Sequence, residues 1–361
     1  MKIIKYIFIC SLVTVLAASC EKGLDPIIEV SPKPDALVPT LVINYPVEGK
    51  PIVSPDEPAK ITFKLVATDD VELKSVILQL DGAEIASFTE FKDYRRLDLK
   101  YDYNLTSGDH TLSVTVTDLT DKSVSGEVSF TKITAPVYVP LDGEVLYFPL
   151  DSYYLDLISG NALAPVGTPG FATGKVSDCY AGAADSYMTY PSDVITSGSE
   201  FSLSFWYKIN ADPPRAGILA ISPVKDPSAT DIRWYGLRLF RENSGLNQNI
   251  GLNFGDGTAE KWRNPFITVP PDQDWMHIAI TISSTKATIY VNGEIPAANG
   301  ELELTAGGVD WTGCDGMTIG SGMPNFVYWE HFSDLSLYDE MHFFTRAITA
   351  AEVQSLYQVK K

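Results

Sequence analysis

The sequence predicts an all-β protein: two sheet-built domains in series, closed by one short helix. Three observations predict it. Strand formers and turn residues are abundant, with 18 Tyr, 16 Phe, 26 Gly and 23 Pro in 361 residues. Short stretches alternate apolar and polar with period two, as in 61–67 and in 111–118, where Leu112, Val114 and Val116 fall on one face. Between such stretches stand Asp81-Gly82, Asp256-Gly257 and Asn292-Gly293, residue pairs that accept the positive φ of two-residue hairpin turns.

The first residues read as an export signal. Lys2 and Lys5 precede an apolar run over 6–18 that is too short to span a bilayer. The run ends in Leu16-Ala17-Ala18-Ser19-Cys20, which resembles a bacterial lipoprotein cleavage box with its Leu one residue early. The resemblance implies removal of 1–19 and a lipid on Cys20, hence attachment to a membrane. Ordinary signal cleavage beside an incidental Cys is the other reading. Residues 20–39 form a tether kept extended by Pro26, Pro32, Pro34 and Pro39.

Charge excludes several functions. The chain carries 27 basic and 46 acidic side chains, a net of −19, and loss of Lys2 and Lys5 deepens this to −21. Such a surface repels nucleic acid and anionic membranes, and no basic stripe offsets it. Beyond Cys10 and Cys20 only Cys179 and Cys314 remain. They either pair in an oxidising compartment or serve as two small buried hydrophobes. Neither belongs to a C-x-x-C, so nothing suggests zinc.

Residues 40–134 read as a small sandwich. The strand 76–80 meets the Asp81-Gly82 turn before 83–85, and about seven short strands in this length suit an immunoglobulin-like fold. Ala67-Thr68-Asp69-Asp70, Leu80-Asp81-Gly82 and the run from Gly108 to Asp118 resemble bacterial Ig-like spacer modules. Cys and Trp are absent, unlike antibody-type domains.

Residues 135–361 form the second domain. Phe201, Leu203 and Phe205 share a strand face, as do Ile278, Ile280 and Ile282. Thr349-x-x-Glu352 is a capping box that predicts a helix over 350–357. Stacked antiparallel sheets follow from this pattern alone. Tyr338-Asp339-Glu340-Met341-His342-Phe343-Phe344-Thr345-Arg346-Ala347-Ile348-Thr349-Ala350-Ala351-Glu352 closely resembles the closing element of LamG-like, concanavalin A-like jelly rolls. Leu146-Tyr147-Phe148-Pro149-Leu150-Asp151, Phe201-Ser202-Leu203-Ser204-Phe205-Trp206-Tyr207-Lys208, Asp274-Trp275-Met276-His277-Ile278-Ala279-Ile280-Thr281 and Ala287-Thr288-Ile289-Tyr290-Val291-Asn292-Gly293-Glu294 match that family in order. The resemblance implies a jelly-roll sandwich that binds carbohydrate or protein. It also implies a calcium ion at the sandwich rim, with Asp151 and Asp339 as ligands and carbonyl oxygens completing the shell.

Catalysis has little support in the residues. A glycosidase needs two carboxylates flanking one bond. The best strand pair, Glu301 and Glu303, also reads as solvent-facing acids beside inward Leu302 and Leu304. Asp339 and Glu340 are adjacent and are expected on opposite faces. The jelly-roll glycosidase pattern Glu-x-Asp-x-x-Glu is absent, and His110, His277, His331 and His342 lack metal spacing. Sugar binding requires aromatic platforms beside directed polar groups. Trp206 and Trp275 match core positions. Trp234, Trp262, Trp311, Tyr328 and Trp329 lie near turn-rich stretches, with Arg233, Arg238 and Arg263 as fork donors. Trp234 and Arg238 share strand parity and are expected on one face.

The expectation is a non-catalytic lipoprotein of an outer membrane. Its Ig-like module lifts a glycan-binding jelly roll off the surface. The arrangement resembles accessory surface lipoproteins of Bacteroidetes glycan-uptake systems, which implies a polysaccharide ligand and an outer-membrane transporter as partner. A protein-binding adhesin, an envelope scaffold and a glycosidase with a diverged site remain as other readings.

Overall fold

The computed structural model describes residues 35–224, 232–261, 265–271, 274–305, 307–327 and 329–358. Cys20, Trp262, Arg263 and Tyr328 lie outside the described residues, as do the export segment and most of the tether. The chain divides into two compact units. One holds residues up to Ile52 together with Asp56–Thr134, and the other holds Val53–Pro55 and everything from Ala135 onward.

The first unit is a two-sheet sandwich. Its strands are β1 (Thr40–Tyr45), β2 (Ile52–Ser54, of which only Ile52 belongs to this unit), β3 (Ala59–Thr68), β4 (Leu73–Leu80), β5 (Ala83–Phe88), β6 (Arg96–Leu105), β7 (Gly108–Asp118) and β8 (Ser123–Thr134). One sheet runs β1-β3-β6 and the other β2-β8-β7-β4-β5. Register and period two make the core. Val76 pairs with Val116, Leu78 with Val114 and Leu80 with Leu112, which puts all six buried side chains on one face. Phe63, Leu65 and Ala67 of β3 complete this cluster. The β4–β5 turn has φ of 53° at Asp81 and 81° at Gly82, the left-handed pair that a two-residue hairpin of matching twist requires.

The second unit is a larger sandwich. Its strands are β9 (Glu144–Phe148), β10 (Ala164–Val166), β11 (Gly170–Thr173), β12 (Asp178–Ala181), β13 (Tyr187–Pro191), β14 (Phe201–Lys208), β15 (Arg215–Ile221), β16 (Leu237–Ser244), β17 (Asn247–Gly255) and β18 (Glu260–Lys261). β19 (Phe266–Val269), β20 (Met276–Ile282), β21 (Lys286–Val291), β22 (Glu301–Glu303), β23 (Gly316–Ile319) and β24 (Leu337–Phe344) follow, then helix α1 (Ala350–Gln358). One sheet is ordered β10-β13-β23-β15-β16-β17-β18, with β19 beside β17. The other is ordered β11-β12-β24-β14-β20-β21-β22, with β9 beside β24. Phe201, Leu203, Phe205, Ile278, Ile280, Ile282 and Phe343 of the second sheet meet Leu219, Leu237, Leu239, Ile250, Leu252 and Phe254 of the first in one buried core. The helix is held by the expected reciprocal cap: the Thr349 amide donates to Glu352 Oε2 (2.7 Å) and the Glu352 amide to Thr349 Oγ1 (3.3 Å). Val353 and Leu356 of α1 bury against Ala279, Tyr290 and Phe344 on the outside of the second sheet.

Several expectations need correction. At Asp256-Gly257 only Gly257 has positive φ (82°). Asp256 instead accepts the amides of Thr258 (3.0 Å) and Ala259 (2.8 Å), so its side chain closes the turn. Trp275 is half-buried, and the core position beside it belongs to Met276. Cys179 and Cys314 are separate buried thiols, so they act as small hydrophobes. Desolvation pushes each up to about 12. Asp339 and Glu340 do not face opposite ways. Opposite β14, Ser204 pairs with His342 and Trp206 with Asp339, which leaves one extra residue in β24. Glu340 takes φ of 52°, and both Tyr338 and Met341 reach the core, so Asp339 and Glu340 both turn outward.

Candidate functional site

The outer face of the first large sheet carries a polar row. Core-facing Leu237, Leu239, Leu252 and Phe254 leave Arg238 and Asn253 on the opposite side, and these two are register partners. Ala220 and Thr318 continue the row across β15 and β23. Arg238 Nη2 donates to Ser222 Oγ (2.5 Å) and to the Ile232 carbonyl (3.2 Å). Asn253 Nδ2 donates to Glu260 Oε1 (2.8 Å), and Glu260 Oε2 lies 3.0 Å from the Arg233 guanidinium. Arg233 also lies 5.3 Å above the Trp329 ring, a cation–π arrangement that holds the indole flat side toward charge. The Trp329 carbonyl accepts from Arg215 (3.2 Å), and its ring abuts Phe326. Phe240 lies beside Gly251, where a Cβ would stand 3.0 Å from the Phe240 ring, so the glycine makes room for the layer beneath Trp329.

The structure therefore brings Arg233 onto Trp329 and sets Arg238 behind the turn that carries Arg233. Trp234, 36% exposed, stands next to Arg233 in a single 3-10 turn. Arg238 is wholly buried, so the shared face expected for Trp234 and Arg238 does not exist: the turn at 232–234 breaks strand parity. Arg238 anchors this turn and Arg233 presents charge to solvent. Trp311 is 9% exposed and packs on Phe201, and its Nε1 donates to the Gly198 carbonyl (2.7 Å), so it fastens a rim loop to the core. It edges a shallow rim groove of about 540 Å³ that Asp256 and Asp310 also line. Glu301 and Glu303 are exposed acids, each 3.1 Å from Lys286.

A second polar cluster covers the outside of the other sheet. Trp206 faces outward rather than into the sandwich core, under Lys175 (4.6 Å to the ring centroid) and beside Tyr357 of α1 (5.7 Å). Tyr147 donates to Glu340 (2.6 Å) and stacks on His342 at 4.3 Å, and His342 Nδ1 lies 2.7 Å from Glu144. His277 bonds Ser204 through Nε2 (2.8 Å), while its Nδ1 is buried without a partner. Desolvation, then His342, hold this imidazole down to about 3, hence neutral. With Tyr138 and Leu356 these side chains enclose a cleft of about 200 Å³. Sequence reasoning missed this cluster. The parity of Ser204 and Trp206 against Phe205 and Tyr207 was a usable signal, whereas the bulge at Glu340 had none.

Asp151 and Asp339 lie close enough for their charges to interact. Asp339 is fully buried. Its Oδ2 accepts the amides of Lys175 (2.7 Å) and Val176 (2.8 Å), and its Oδ1 accepts nothing. Desolvation first, with Glu340 and Asp151 adding repulsion, pushes this carboxyl up to about 7 against the pull of the two amides. Gly174 permits the approach, since a Cβ there would stand 2.6 Å from Asp339 Oδ2. A proton or a hard cation at Oδ1 answers the same electrostatic need, so the residues fit calcium with carbonyl and water ligands completing the shell.

Residues 182–354 match the model of the concanavalin A-like lectin/glucanases superfamily. The chain thus carries a concanavalin A-like lectin/glucanase (LamG) domain, preceded by a separate β-sandwich. Among solved structures it is similar to domain 4 of AbnA, a GH43 extracellular arabinanase from Geobacillus stearothermophilus in complex with arabinotriose. The match has 18% identity and a TM-score of 0.44, and covers 60% of this chain and 98% of that one. The binding domain of botulinum neurotoxin serotype C1 is similar at 12% identity and a TM-score of 0.41, over 60% of this chain and 52% of that one. The binding domain of Paraclostridial Mosquitocidal Protein 1 is similar at 16% identity and a TM-score of 0.38, over 60% of this chain and 52% of that one. These likenesses concern fold only. No curated protein matches the chain.

Proposed function

We propose that the protein is a non-catalytic, lipid-anchored surface protein that captures an extracellular carbohydrate. Cys20 carries the anchor in an outer membrane, the first sandwich is a spacer, and the jelly roll holds the glycan for an outer-membrane transporter. The observation that carries the reading is Arg233 stacked over Trp329 and paired with Glu260, next to the partly exposed Trp234, on a turn anchored by the buried Arg238. An indole offers the apolar face that sugar C–H groups require, and the guanidinium offers directed donors to hydroxyls. The Arg238 hydrogen bond to the Ile232 carbonyl fixes the turn that bears Trp234 and Arg233, so little ordering is left to binding. Calcium at Asp151 and Asp339 belongs to the same proposal, as a structural ion on the opposite sheet.

Affinity electrophoresis of the full chain against a polysaccharide panel tests it. Retardation by one polymer, without release of reducing ends, is the expected result. Trp329→Ala is expected to weaken that retardation by at least about tenfold, the order of one lost stacking contact. Retardation by no polymer, or equal retardation of Trp329→Ala, overturns the assignment of this site.

A further inference from the structure

Three aspartates from separate parts of the first sandwich converge at one point. Asp35 precedes β1, Asp69 directly follows β3 and Asp118 ends β7. One carboxylate oxygen from each lies within 4.8 Å of the others. The opposite oxygens are already committed. Asp69 Oδ1 accepts the amides of Val71 (2.9 Å) and Glu72 (2.7 Å). Asp118 Oδ1 accepts the amides of Thr120 (2.7 Å) and Lys122 (3.0 Å) and the Thr120 hydroxyl (2.9 Å). Asp35 Oδ2 lies 3.2 Å from the same Thr120 hydroxyl, whose one proton it shares with Asp118 Oδ1. The remaining oxygens, Asp35 Oδ1, Asp69 Oδ2 and Asp118 Oδ2, are buried and accept no hydrogen bond. Asp118 is fully buried and Asp69 is 8% exposed.

Leaving three such oxygens together without donors is costly. Lys122 relieves part of that cost: its ammonium lies 3.3 Å from Asp35 Oδ1 and 3.7 Å from Asp118 Oδ2, and donates to the Asp35 carbonyl (3.0 Å). Neither ion pair reaches Asp69. Three carboxylates against one ammonium leave two negative charges uncompensated, which draws a cation to the site. An all-carboxylate oxygen set suits a hard divalent cation. Oxygens on one calcium, each about 2.3–2.6 Å from it, are at most about 5 Å apart, whereas magnesium limits them to about 4 Å. Oxygens within 4.8 Å of one another are compatible with a shared calcium. The amide bonds hold Asp69 and Asp118 in position before any ion arrives, and the Lys122 side chain, 31% exposed, has a path to solvent.

We infer that Asp35, Asp69 and Asp118 form a calcium site that fastens the segment before β1 onto the loops after β3 and β7. Water and carbonyl oxygens, the Asp35 carbonyl among them, complete the shell once Lys122 swings out. The site is independent of the glycan reading and of Asp339.

Hydrogen exchange on the full chain, in about 1 mM calcium and in EDTA, tests it at the affinity of an extracellular module. Calcium is expected to slow exchange in 35–39, 69–73 and 118–122. Asp69→Asn is expected to remove that response while leaving β4 and β7 protected, which reports that the sandwich is folded. Lys122→Met is expected to be less stable in EDTA, to be restored by calcium, and to bind it about tenfold more tightly than the native chain. Three results overturn the proposal: no calcium-dependent protection in these segments, an unchanged response in Asp69→Asn, or a Lys122→Met protein that calcium does not restore.

Discussion

Replacing Asp339 by Asn should change how the stability of the jelly roll depends on pH, in a way that burial and charge fix in advance. The substitution keeps an acceptor for the Lys175 and Val176 amides and puts an uncharged amide nitrogen of similar size in place of the unpartnered Oδ1. Only the ionisation is lost. Folding moves this carboxyl from 3.8 to about 7, so between those values the native state holds a proton that the unfolded chain has released. The stability involved is therefore fully present below the lower value and lost as pH rises through the upper one, with a full amplitude of about 4 kcal/mol. His277 acts in the opposite sense. Its pKa falls from 6.5 to about 3 on folding, so its share is present above 6.5 and lost on acidification. The two effects offset each other in the native protein, and the informative quantity is the difference between native and variant. Urea unfolding in EDTA at several pH values between about 4 and 8 measures it. The variant should gain on the native protein steadily as pH rises to 7, and then hold its lead. A constant offset across the range would refute the reasoning, because it would mean that Asp339 takes up no proton on folding. Calcium, if it occupies Oδ1, should flatten the native curve by displacing that proton.

Three further outcomes are expected. Asp334→Asn strands the wholly buried Arg241 guanidinium, which lies 2.9 Å from Asp334 Oδ1, and should cost about 3–5 kcal/mol in urea unfolding. Thr349→Ala removes the cap hydroxyl that the Glu352 amide uses, and should cost about 1 kcal/mol, with exchange speeding up first in α1. Cys179 and Cys314 should resist a thiol reagent in the native protein and react after unfolding without prior reduction, since both are buried thiols raised to about 12.

Much of the fold was legible because its signals are local. Val114 and Val116 alternate with Ser113 and Thr115, and that period puts them in the core whatever the partner strand. Asp81-Gly82 and Thr349-x-x-Glu352 state their turn and cap within a few residues. The candidate site was legible only in part. Arg233 and Trp329 are far apart in sequence, and only the fold stacks one on the other. Trp311 looked like a loop aromatic, and its hydrogen bond to Gly198, 113 residues away, depends on two rim loops meeting. Trp206 matched a core position of the resembled family, yet its parity opposite Phe205 puts it on the outer face, where Lys175 and Tyr357 cover it.

Period, turn chemistry and charge balance thus determined by themselves that this is an all-β, acidic chain with two sandwiches in series and a capped terminal helix. Those properties depend on neighbours within a few positions. Tertiary structure alone decided which polar groups meet: Asp339 and Glu340 on one side of a bulge, Arg238 against the Ile232 carbonyl, and Asp35 with Asp69 and Asp118. Electrostatic interaction depends on distance in space and on exclusion of water, and neither is set until strands distant in sequence have paired.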